Sequence, residues 1–233
     1  MVRRRFFLVI FFIITGCSKL PQIPEPTSQP VIPVFEVFGY ARCSNCPIVE
    51  KSLDSLKQNL SDSVVVLQYH MRILGDTLSP ESVLERQNLY NIGSSAPVTI
   101  VHGEVRIEGA SGVSLSMFEN YYRALRSRED SLGLKLTYID EGDTARLIIG
   151  AVSELNLERL KLFLFVTRDS ILFKQPGAPD SIFNNVVRFY HSSNAGLPYE
   201  MKISKNFLTG GNFVAFLQDT VNLRIKSVLQ RRF

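Results

Sequence analysis

A chain of 233 residues with 45% hydrophobic and 21% charged residues, 14 Gly, 11 Pro and 3 Cys excludes both a low-complexity disordered polymer and a disulfide-dense miniprotein. The formal net charge of +4 invites a nucleic-acid reading, but Arg3, Arg4 and Arg5 stand directly before an apolar run from Phe6 to Ile14. Without those arginines the chain is nearly neutral, which points away from nucleic acid as a partner.

As a helix the apolar run reaches about 14 Å, about half a bilayer core, which suits the central region of a secretory signal better than a membrane span. It closes on Ile14, Thr15, Gly16 and Cys17. That ending resembles the lipobox of bacterial lipoproteins, with Thr15 slightly off pattern. The resemblance implies removal of residues 1–16 and acylation of Cys17 at its sulfur and new amino group, with membrane lipid as its partner. Each buried methylene contributes about 0.8 kcal/mol, so three chains anchor firmly. Between Ser18 and Pro33 five of sixteen residues are proline. Residues 17–33 therefore read as a tether of extended polyproline-type chain, spanning on the order of 50 Å. Ser18, standing where Asp would retain a lipoprotein in the inner membrane of diderm bacteria, favours the outer membrane. The expected location is the bacterial cell envelope, lipid-anchored, periplasm-facing or at the outer membrane.

With Cys17 assigned to lipid, Cys43 and Cys46 remain, two residues apart in Gly39-Tyr-Ala-Arg-Cys-Ser-Asn-Cys-Pro47 and in a disulfide-permissive setting. Upstream, Val34 to Tyr40 is rich in Val and Phe, as expected of a strand buried on both faces. Downstream, Val49, Leu53, Leu56 and Leu60 recur on one helix face. The pair thus sits at a strand-to-helix corner, where unpaired amides and the positive end of the helix macrodipole stabilise a thiolate. Cys43 is the expected nucleophile, aided by Arg42, and Cys46 the resolving thiol.

Val64 to His70 reads as a second buried strand. A helix with a serine cap at Ser79 and Pro80 at its first position follows, ended by Gly93. Pro97 leads into a hairpin of Val98 to Val101 and Val105 to Ile107 around His102-Gly103. A helix from Ser114 to Arg126 carries Leu115, Phe118, Tyr122 and Leu125 on one face. This order, with its CxxC helix, is similar to the thioredoxin fold over roughly residues 34–127. The resemblance implies that Pro97 is the cis-proline that packs beside the pair and presents a partner's backbone to it. Arg42 where that family has Trp, and Ser44-Asn45 for Gly-Pro, depart from thioredoxin itself. Cys43 to Pro47, Tyr69-His70 and Arg86 to Tyr90 also resemble motifs of the twenty-eight-kilodalton outer-membrane lipoprotein family, a resemblance that covers nearly the whole mature chain and implies fold and location more than activity.

After Asp130 strand signals take over. Leu132 to Tyr138 and Ala145 to Ala151 alternate around the Asp140-Glu-Gly-Asp143 turn, and further runs lie at 160–167, 186–190, 213–218 and 221–228. The predicted fold is therefore a thioredoxin-like α/β domain over 34–130 followed by an antiparallel β-sandwich domain over 131–233. The second half holds no HExxH, GxSxG or phosphate-cradling Gly-Lys motif, and Phe163, Phe165, Phe213 and Phe216 read as core.

Three explanations compete for the CxxC pair: reversible thiol–disulfide exchange, a permanent structural disulfide, and half of a metal site. Zinc is the weakest, because four ligands are needed and His70, His102 and His191 are scattered without the usual spacing. No cofactor is expected. His70, at a strand end, is a candidate for biasing the titration of the thiols. The leading expectation is an oxidoreductase in which Cys43, Cys46 and Pro97 act on exported proteins bearing thiols or disulfides. The alternative is a non-catalytic envelope lipoprotein with a structural disulfide, acting as a binding or structural module through its β-sandwich.

Overall fold

The computed structural model describes residues 29–130, 133–152, 156–173 and 181–233. The signal segment 1–16, Cys17 and the proline-rich stretch as far as residue 28 lie outside them. The first half contains β1 (Gln29–Pro30), β2 (Val34–Gly39), α1 (Cys46–Leu60), β3 (Val65–His70), α2 (Leu84–Leu89), β4 (Val98–Val101), β5 (Val105–Glu108), α3 (Leu115–Arg126) and β6 (Glu129–Asp130). The second half contains β7 (Leu134–Glu141), β8 (Thr144–Ala151), β9 (Leu160–Arg168), β10 (Ile171–Phe173), β11 (Ser181–Phe183), β12 (Val186–Asn194), β13 (Tyr199–Ser204), α4 (Lys205–Leu208), β14 (Gly211–Asp219) and β15 (Ile225–Arg232).

Strand β2 pairs parallel with β3 and antiparallel with β4, which pairs with β5. Its side chains alternate between two cores. Phe35 and Val37 pack with Val49, Leu53 and Leu56 of α1 and Phe118 and Leu125 of α3, whereas Val34 and Phe38 pack on the other face. Both sets are buried, so the strand reads as an apolar run rather than an alternating one. Helix α3 starts as its sequence predicts, the Ser114 hydroxyl accepting the Met117 N–H at 3.3 Å. Ser79 does not cap a helix. Its hydroxyl accepts the buried His70 N–H at 3.0 Å, residues Glu81–Val83 form a 3-10 turn, and α2 begins only at Leu84. A buried amide at a strand end must find an acceptor, and it takes the one the helix start would have used. The stretch 29–33, read above as the end of a tether, joins the folded body: β1 pairs with β6, Val31 is buried, and Arg126 donates to the carbonyls of Pro30 and Val31.

The two halves share one sheet of eight strands in the order β15-β14-β9-β12-β3-β2-β4-β5. The junction is β12 against the free edge of β3, parallel, with Val186 beside Gln68. The ends of the sheet also approach each other, since the Ile225 N–H bonds to the His102 carbonyl in the β4–β5 turn at 3.3 Å. In that turn Gly103 has a φ of 77°, and a Cβ there would strike the Leu223 carbonyl. One face of the curled sheet encloses a core drawn from both halves, including Phe38, Tyr69, Phe163, Phe165 and Phe216. The three-stranded sheet β13-β8-β7 packs on the opposite face of β9 and β14 through Leu147, Ile149, Leu164 and Phe213.

This corrects the predicted fold class, a thioredoxin-like α/β domain followed by an antiparallel β-sandwich. The chain is dominated by strands, and its principal sheet is mixed and built from both halves. The reason is physical: β3 offers an edge whose backbone groups need partners, and β12 supplies them. Local periodicity carries no information about which distant strand does so.

A buried ion pair lies inside the shared core. Arg86 and Glu36 are fully buried, with Nε 2.6 Å from Oε2 and Nη2 2.7 Å from Oε1. The hydroxyls of Tyr69 and Tyr90 each donate to Glu36 at 2.8 Å, and Arg86 also donates to Gln218 of β14. The guanidinium lies 4.4 Å from the Phe163 ring centroid and 5.1 Å from that of Phe216. Removing one partner leaves an uncompensated charge, so Arg86→Met is expected to cost about 3–5 kcal/mol, whereas Glu36→Leu with Arg86→Met costs markedly less. Urea unfolding of the three proteins checks this; equal losses in the single and double variants contradict it.

Candidate functional site

The site begins where β2 ends. The Gly39 carbonyl accepts the Met71 N–H at 2.8 Å, the Cys43 N–H bonds to the Tyr40 carbonyl at 2.9 Å, and α1 starts at Cys46 with Pro47 in its first turn. Gly39 is required by a close approach, because a Cβ there would lie 3.1 Å from the Cys46 sulfur and 3.7 Å from Oε1 of Glu50. Cys43 and Cys46 are joined in a disulfide. The Cys46 N–H donates to the Cys43 Sγ at 3.1 Å, so an amide of the first helical turn is aimed at the outer sulfur. Cys43 is 7% exposed and Cys46 1%. Both are buried, Cys46 the more completely.

Both cysteines border a cavity of about 320 Å³. Tyr40, Ala41 and Pro47 line it beside the cysteines, Glu50, Lys51 and Asp54 descend from α1, and Ile182, Phe183 and Asn184 come from the second half. Asn184 and Asn185 donate to the two carboxylate oxygens of Asp54 at 2.9 and 3.0 Å, tying the segment after β11 to α1. Glu50 accepts from Gln68 at 2.7 Å. Burial pushes its carboxyl up to about 7, the nearby charge of Asp54 adding to this and the Gln68 bond opposing it. Burial likewise raises the Asp54 carboxyl, against the two asparagine bonds.

His70 is fully buried and register-paired with Gly39. Its Nδ1 lies 2.6 Å from Oδ2 of Asp76, and its ring stands edge-on to Phe183 at 4.6 Å. Asp76 also accepts the Ala41 N–H at 2.7 Å, so His70 touches the cysteine loop through Asp76 rather than directly. Burial raises the Asp76 carboxyl, but the bonds from His70, Leu78 and Ala41 outweigh it and hold the group below its ordinary value. Pro97 follows a cis peptide bond and is buried; the Phe38–Val98 pairing, extended one step, sets it opposite Gly39 at the cysteine end of the sheet. Neither His70 nor Pro97 lines the cavity, and neither does the exposed Arg42. His102 lies in the β4–β5 turn and His191 bonds to Tyr199 at 2.7 Å. Among the described residues no group of three or more His, Cys, Asp and Glu side chains is placed to hold a metal ion.

The residue that the sequence reading passed over is Glu50. It stands four residues after Cys46 and therefore on the same helix face, a spacing that was available to find it. Its sign in stability is definite. The folded carboxyl holds its proton up to about pH 7, whereas an ordinary glutamate releases it near 4.5. The folded state thus binds the extra proton between those values, and its stability falls as pH rises through that window. Glu50→Gln is expected to melt close to the wild type at pH 4 and at progressively higher relative temperature up to pH 7.5. Parallel melting curves across that range contradict the assignment.

No protein-family model matches the chain, and no curated protein matches it. A crystal structure of an Agrobacterium tumefaciens protein, from a structural genomics consortium, is similar in fold: TM-score 0.62 at 20% identity, covering 88% of this chain and 95% of that one.

Proposed function

We propose that the protein is an envelope-located, lipid-anchored agent of thiol–disulfide exchange, acting on exported proteins through Cys43 and Cys46. The observation that carries this reading is the pair at the start of α1, with the Cys46 N–H on the Cys43 sulfur and a cavity opening onto both residues. The lipobox-like run ending at Cys17 supports the anchor and the location.

In the reduced protein Cys43, as thiolate, attacks one sulfur of a partner disulfide. A mixed disulfide forms, and the partner's other sulfur leaves as a thiolate that takes a proton from water. The amide on Cys43 and the helix end favour its thiolate, and Glu50, neutral below about pH 7, does not oppose it there. Cys46 then loses its proton to solvent and attacks the Cys43 sulfur. The Cys43–Cys46 bond closes, and the partner's second sulfur departs and is protonated. The partner gains two electrons and two protons, and the reverse sequence donates a disulfide.

The second reading is a structural bridge in a binding lipoprotein, favoured by the 1% exposure of Cys46. One experiment separates the two. Cys46→Ser in the full chain, expressed in a bacterial envelope, is expected to accumulate mixed disulfides with exported proteins on non-reducing gels, and Cys43→Ser abolishes them. A Cys46→Ser protein that loses stability yet traps nothing supports the bridge. So does a reduction potential for the pair below about −300 mV.

A further inference from the structure

The second half carries an apolar surface that reaches, at Ile182, the cavity bordered by the disulfide. Strands β10 and β11 form a hairpin in which Leu172 faces Ile182 across the pair, and Ile171 faces Phe183. Ile171, Phe173 and Phe183 turn inward and pack with Leu78, Val186 and Ala41, the last being two residues from Cys43. The other face presents two large aliphatic side chains to solvent, Leu172 58% exposed and Ile182 67% exposed. A cross-strand aliphatic pair is ordinarily used to bury area. Ile182 is at the same time part of the wall of the cavity that the exposed Pro47 and both cysteines border. The position is fixed, since Asn184 and Asn185 pin the end of the hairpin to Asp54 on the helix that carries Cys46.

What covers this face follows from the reaction beside it. Cys43 is 7% exposed, so a group that reaches its sulfur comes in through the cavity that Ile182 borders. We infer that the β10–β11 hairpin is the docking surface for the partner polypeptide, an extended chain whose reacting cysteine is flanked by aliphatic side chains that seat on Leu172 and Ile182. This deepens the exchange reading and rests on it. The hairpin supplies binding and the cysteines supply chemistry, so substrates too small to reach both depend on the cysteines alone. Glutathione disulfide is such a substrate, with no aliphatic side chain to offer.

The test uses the reduced full chain and three disulfides: glutathione disulfide, a synthetic peptide disulfide with leucine on each side of its cysteine, and the same peptide with serine in place of leucine. Wild type is expected to reduce the leucine peptide with kcat/KM about ten-fold above the serine peptide, the worth of a partly buried aliphatic pair. A Leu172→Thr/Ile182→Thr double variant, which keeps strand propensity, loses that preference through KM and reduces glutathione disulfide at the wild-type rate. A double variant that keeps the leucine preference overturns the docking surface while leaving exchange intact. Equal loss on all three substrates overturns it as well, in favour of a structural role for the hairpin. Wild-type protein that reduces none of the three removes the exchange reading and the docking surface with it.

Discussion

Two opposite charges held entirely out of water set the terms for this fold. Desolvating a guanidinium and a carboxylate costs several kcal/mol each, and the cost is offset only when geometry and hydrogen bonding are complete. Around Arg86 and Glu36 they are: a two-point ion pair, two tyrosine hydroxyls, the Gln218 amide and the faces of Phe163 and Phe216. The contributors come from β2, β3, α2 and the residue after it, β9 and β14. None of these segments satisfies the charges alone, so the first and second halves of the chain are held to one another at the centre of a single curled sheet. The cation–π and aromatic contacts let the same cluster serve as apolar core.

Strand β2 connects that cluster to the chemistry. Glu36 lies at its middle and Gly39 at its end, where the missing side chain admits the Cys46 sulfur. On the other side Asp76 holds the Ala41 amide and the His70 ring together, and His70 leans on Phe183 of the hairpin. The cysteine loop is thus fixed by strand, loop and hairpin at once, with a helix start supplying its amides. The cavity that the pair borders has polar lining from α1 and apolar lining from β11.

Much of the local structure was legible. The Val- and Phe-rich run of β2, the leucine spacing of α1, the apolar face of α3 and the turn at His102-Gly103 each carry a short-range physical signal, and each forms near its expected place. What the sequence withheld is what depends on distance along the chain. The pairing of β12 with β3 has no periodicity of its own, and with it went the division into two architectures. Arg86 and Tyr90 were visible as a spaced motif, but their meaning depends on Glu36, 50 residues earlier than Arg86, and on Gln218, 132 residues later. The exposed aliphatic pair on β10 and β11 contradicts the usual inside-out pattern, so short apolar runs there gave no strand signal. In the site, the CxxC motif announced itself, while Glu50 was masked by looking like one more charged residue on a helix.

The order in which the chain leaves the ribosome gives this topology a history. Glu36, both cysteines and Arg86 emerge first, and β14, which brings Gln218, is among the last strands to appear. Until β12 is made β3 has a bare edge, and until β14 is made the guanidinium lacks its Gln218 acceptor, so the amino-terminal half alone holds neither partner. Cys43 and Cys46 thus precede by more than a hundred residues the segment whose Ile182 and Phe183 complete the wall of their cavity, so that the enclosure of the bond is a property of the finished chain and not of the half that carries it.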